Sequence, residues 1–73
     1  MMHDDTVQIR IEIPKEEIAY LVSLFEGYDN LAVVRTLDNK RGLIELMVAP
    51  DYLDDTRRLL EALKDEIPLR LLA

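Results

Sequence analysis

Residues 30–49 run NLAVVRTLDNKRGLIELMVA, and they decide the fold. Two apolar stretches of strand length flank Asp38-Asn39-Lys40-Arg41-Gly42, where Asn and Gly supply unusual backbone angles at little cost. The stretch reads as a hairpin with a solvated, charged tip. Its register follows from the pleat, because successive side chains point to opposite faces. Pairing Leu37 with Leu43 sets Arg35 opposite Glu45 and Val33 opposite Met47. It also sends Ala32, Val34 and Thr36 to the same face as Ile44, Leu46 and Val48. A slip by one would set Arg35 against Ile44 and mix the two faces, which is costly wherever one face is buried.

Outward from the hairpin, residues 6–13 (TVQIRIEI) alternate Val7, Ile9, Ile11 and Ile13 with Thr6, Gln8, Arg10 and Glu12, the period-2 signature of a half-buried strand. Pro14 closes that strand and suits the first position of a helix, with Glu16 and Glu17 where the helix dipole favours anions. Ile18, Leu21, Val22, Phe25 and Tyr28 then recur at spacings of three and four, one apolar stripe, and Gly27 is the expected terminator. Beyond the hairpin, Pro50 and Asp51 open a second helix. Its stripe is Leu53, Thr56, Leu60, Leu63 and Ile67, widened by Leu59 and Ala62, with Arg57, Arg58 and Lys64 on the wet side. Residues 67–72 (IPLRLL) form a last strand, which Pro68 confines to a sheet edge or to a strand start. The order strand, helix, strand, strand, helix, strand is a split βαβ pattern. The expected fold is therefore α+β and ferredoxin-like: a four-stranded antiparallel sheet in the order 4-1-3-2, with two helices on one face. Residues 6–73 make a single domain behind a disordered N-terminal tail, residues 1–5.

Composition narrows the function. A chain of 73 residues buries only about 60% of its unfolded surface, and a core that small rarely supplies more than ~3–5 kcal/mol. Cysteine is absent, which removes disulfides, thiolate metal sites and a thiol nucleophile. Self-association is the stabilising device that remains. Nine basic against fifteen acidic residues give a formal charge of −6, a balance that repels nucleic-acid backbones. No run approaches the ~18 apolar residues of a membrane span, and the acidic start Met1-Met2-His3-Asp4-Asp5 does not read as a secretory signal. A cytoplasmic protein with no nucleic-acid and no membrane partner is expected.

Catalytic candidates are thin. Glu16/Glu17 and Asp54/Asp55 sit in helix first turns, where the dipole accounts for them, and neighbours in sequence diverge by about 100° on a helix. Ser23 lies mid-helix, and the chain's one histidine, His3, is on the tail, so a serine–histidine mechanism has no support. The Met1-Met2-His3 start can wrap Cu(II) or Ni(II) in a square plane, a property of any chain that begins this way. No cofactor is expected.

The fold pattern invites comparison with RNA-recognition domains, whose third strand carries a basic-Gly-aromatic-small-aromatic motif for base stacking. Here Arg41-Gly42 is followed by Leu43 and, at the second stacking position, Glu45. The metal-chaperone version of the fold needs paired cysteines. The layout also resembles ACT-type sensor domains, which carry an Asp-x-Pro-Gly-like loop after strand one; here Glu12-Ile13-Pro14-Lys15 has the proline and no glycine. Residues 18–50, with Asp29-Asn30-Leu31-Ala32-Val33-Val34-Arg35-Thr36-Leu37-Asp38 and then Arg41-Gly42, resemble a family of short bacterial proteins catalogued as domain of unknown function number 4911. That resemblance implies no activity and no site residues.

Two function classes follow. The first is a non-enzymatic, homo-oligomeric regulatory or protein-interaction module, by default a dimer. Its contact surface would be the helix-free face, Leu31, Val33, Arg35, Leu37, Leu43, Glu45 and Met47, with Arg10 and Glu12 rimming or crossing it, or the edge of the second strand. The second is an ACT-like sensor that takes an amino acid at a dimer interface.

Overall fold

The computed structural model describes residues 6–28 and 31–72. The expected tail, residues 1–5 with His3, lies outside the described residues, as does Ala73. Four strands, β1 (Val7–Glu12), β2 (Val33–Asp38), β3 (Leu43–Val48) and β4 (Arg70–Leu72), form one antiparallel sheet in the order β2-β3-β1-β4. Helices α1 (Ile18–Glu26) and α2 (Leu53–Leu63) fill the two crossovers. The architecture is α+β with a ferredoxin-like arrangement.

One face of the sheet carries the core. Ile11, Ile44, Leu46 and Val48 are fully buried with Leu21 and Phe25 of α1 and Leu60 and Leu63 of α2. Burying a side chain of this size contributes roughly 1.5–3 kcal/mol. Thr56 is also fully buried, and its Oγ1 has no hydrogen-bond partner among the described residues. Tyr28, at the end of the expected α1 stripe, is instead exposed, and so is Ala62 on α2.

Both helices start later than the prolines suggest. Pro14 stays extended, and its carbonyl accepts the Glu17 N–H at 2.9 Å, which makes residues Lys15–Glu17 a 3₁₀ turn ahead of α1. The Ala49 carbonyl does the same for Tyr52, giving a 3₁₀ turn over Pro50–Tyr52. At the other end of α1, Gly27 keeps right-handed helical geometry, so the terminator there uses no left-handed turn.

The hairpin register agrees with the expectation through its regular part: Arg35 faces Glu45, Val33 faces Met47, and Val34 and Thr36 face Leu46 and Ile44. It departs at the tip. Asp38, and not Leu37, stands opposite Leu43, so the ladder carries a bulge with Leu37 as the extra residue. The Asp38 carboxylate accepts the Arg41 backbone N–H at 3.2 Å, and that local bond draws Asp38 into the pair. A second correction concerns Leu31. Strand alternation predicts it on the helix-free face, but β2 begins only at Val33 and residue 31 sits in a bend. Its side chain is 7% exposed and belongs to the core beneath the helices.

Candidate interaction surface

Among the described residues no helix lies over the second face of the sheet, and cross-strand pairing arranges it in rows. The first row is Val33, Met47 and Gln8; the second is Arg35, Glu45, Arg10 and Leu72; the third is Leu43, Glu12 and Arg70, with Asp38 at its end. Adjacent strands stand about 4.8 Å apart, so groups in one row touch.

Glu45 lies at the centre of the middle row. Its Oε2 is 3.4 Å from Arg10 Nε, which donates a hydrogen bond to it, and its Oε1 is 3.8 Å from Arg35 Nη1. Although it faces away from the helices, Glu45 is 6% exposed, while both arginines remain more than half exposed. The carboxylate is thus closed in by its two cations. Glu12 repeats the pattern in the third row, holding Arg70 by a hydrogen-bonded ion pair and Arg41, in the turn, at 3.7 Å. Each carboxylate is shared between two guanidiniums, and each guanidinium has five N–H donors, so most donors still point to water.

The expected contact residues therefore divide. Val33, Arg35, Glu45, Leu43 and Met47 share the open face, Leu37 is the exposed bulge residue beside it, and Leu31 lies on the opposite side of the sheet. Arg10 and Glu12, expected to rim or cross the patch, stand in the middle of the face, and Arg70, which sequence reasoning missed, completes it. The missing signal was the β1–β4 register: Arg70 meets Glu12 only because β4 pairs with the end of β1.

Elsewhere, the Tyr20 hydroxyl donates to Glu66 Oε1 at 2.6 Å, linking α1 to the segment after α2. That hydrogen bond, with desolvation and the Glu66 and Glu17 charges, raises the phenol above its usual value near 10. A shallow cavity of about 280 Å³ lies between β1, β4 and α2, with Val7, Ile9, Leu60, Leu71 and Leu72 as its apolar lining and Arg57 and Glu61 beside them. Ser23 is exposed on α1. Among the described residues there is no group of three or more His, Cys, Asp or Glu side chains able to hold a metal ion, and no helix long and apolar enough to cross a membrane.

The layout is that of a small α+β domain with an ion-paired sheet face. The family model of the Domain of unknown function (DUF4911) matches residues 11–67, most of the chain, and the protein belongs to that family. No curated protein and no solved structure matches it.

Proposed function

We propose that the protein is a non-enzymatic, homodimeric interaction module that joins to a second copy through the β2 edge and presents its open sheet face for regulatory contacts. The observation that carries this reading is the condition of β2. It is an outer strand, and Val33 on it is 60% exposed. The Ile13 N–H donates to the Gly42 carbonyl at 3.0 Å, which turns odd-numbered β1 groups toward β3. By the alternation of an antiparallel ladder, Val33 and Arg35 bond to β3, and Val34 and Thr36 direct their N–H and C=O groups outward. An unpaired strand without proline or lysine is a template for another strand.

The open face suits a second copy less well. Four guanidiniums there surround two carboxylates, so pressing two such faces together would bury a doubled positive surplus. At the edge, a two-fold centred on Val34 sets each Val33 beside the Arg35 of the other copy. Centring on Arg35 would oppose two like charges, which is unfavourable. A closed C2 pair is the expected product.

Thr36→Pro tests this. Its N–H faces outward, so the monomer tolerates the loss while strand addition does not. Sedimentation should show the wild type as a dimer and Thr36→Pro as a monomer with unchanged far-UV circular dichroism. A wild type that stays monomeric at its solubility limit, or a Thr36→Pro variant that stays dimeric, would sink the reading.

The runner-up, an ACT-like sensor of a free amino acid, has one feature in its favour: the 280 Å³ cavity pairs an apolar lining with Arg57 and Glu61, opposite charges of the kind a zwitterion carries. A saturating aliphatic amino acid, at 100 times its dissociation constant, would then add about 2.7 kcal/mol to stability and raise the melting temperature. No shift across the aliphatic amino acids removes this reading.

A further inference from the structure

Nine basic residues serve the whole chain, and four of them, Arg10, Arg35, Arg41 and Arg70, gather on or beside the open face around Glu12 and Glu45. The rest of the chain has five basic against thirteen acidic residues. Counting Asp38 at the rim, whose carboxylate is turned to the Arg41 amide, still leaves the face with a positive surplus on an acidic protein. The guanidiniums are more than half exposed, yet each is held against a shared carboxylate, so little side-chain entropy remains to be lost on binding.

We propose that the open face binds an acidic, extended segment of a partner protein, with two carboxylates of that segment taken by the Arg35/Arg10 row and the Arg70/Arg41 row. The spacing supports this. The two rows are two residues apart along β1, about 6.7 Å, which is also the spacing of same-side side chains at i and i+2 of an extended peptide. One row further on, Val33 and Met47 offer an apolar contact. The segment the face fits has the form apolar-x-acidic-x-acidic. A long nucleic acid fits poorly: the patch has no aromatic side chain for base stacking, and a polyanion running past it would meet the acidic remainder. This deepens the interaction-module reading and rests on it, but not on the dimer.

The probe is a fluorescein-labelled peptide, Leu-Ser-Glu-Ser-Glu-Ser, followed by anisotropy with the full chain at low salt. Binding should weaken several-fold between low and physiological salt. The double variant Arg35→Gln/Arg70→Gln should lose about tenfold in affinity, while Arg57→Gln/Arg58→Gln on α2 should match wild type. The Thr36→Pro monomer should bind the peptide as well as wild type does, so failure of the dimer and failure of this site are separable. Three results overturn the proposal: no peptide binding, equal losses in the α2 control, or tighter binding of an oligothymidylate of matched charge than of the peptide. Loss of self-association in Arg35→Gln/Arg70→Gln without any peptide binding would assign the face to a second copy instead.

Discussion

Gly42→Ala should leave the chain largely unfolded. Gly42 is buried, with φ of +71°, in the turn just before β3. An alanine in that left-handed region costs roughly 1–2 kcal/mol from its own backbone. A collision costs more. A Cβ at Gly42 would fall inside the van der Waals envelope of the Ile13 carbonyl oxygen, which is backbone and cannot rotate away. Relief requires β1 and β3 to part at this end, and that breaks the Ile13 N–H to Gly42 hydrogen bond and opens the sheet beside the Glu12–Leu43 pair. The combined cost should exceed ~3 kcal/mol, comparable with the ~3–5 kcal/mol that a core of this size supplies. Far-UV circular dichroism and urea titration measure it. A Gly42→Ala protein whose unfolding free energy drops by less than about 1 kcal/mol would show that the close approach is absent. Gly27→Ala is the control: its φ is −76° and the nearest atom to a new Cβ is the Leu24 carbonyl oxygen at 3.4 Å, so stability should hold or rise slightly.

Gly42 also shows where sequence reading stops. Its place in the turn was legible from Asn39 and Gly42, but the near contact with Ile13 is tertiary and leaves no local mark. The hairpin register was legible because a one-residue slip mixes the faces, and Arg35 against Glu45 was readable from that alone. The bulge at Leu37 was not, because alternation of apolar residues continues across it and the bond from the Arg41 N–H to Asp38 outweighs that pattern. Leu31 failed for a related reason. Apolar alternation runs two residues beyond the true start of β2, where a bend aims the side chain into the core. The ion-paired face was half legible. The β2–β3 charge pair followed from the hairpin, but its completion by Arg10 and Arg70 needed the β1–β3 and β1–β4 registers. Those registers depend on how the crossover helices seat, which no local pattern in the strands specifies.

Glu45→Lys should be the most damaging change on the open face. Glu45 is nearly buried, its two oxygens divided between Arg10 and Arg35. Reversing its charge places three cations in one row and leaves no anion among them. Uncompensated charge in a site closed to water costs about 2–4 kcal/mol, which for a domain of this size lowers the melting temperature by roughly 10–20 °C. Added salt should restore part of the loss, because the arginines are exposed enough for ions to reach them. Glu45→Leu separates charge from shape. A leucine of similar volume removes the desolvated carboxylate, and the freed guanidiniums already reach water, so stability should change by less than about 1 kcal/mol. Calorimetric melting of both variants, at low and high salt, gives the comparison. Equal damage from Lys and Leu would mean that Glu45 holds the sheet by its hydrogen bond from Arg10 and not by charge balance. An unchanged Glu45→Lys would mean that the triad is open to solvent, and the preorganised arginine pair on which peptide recognition depends would go with it.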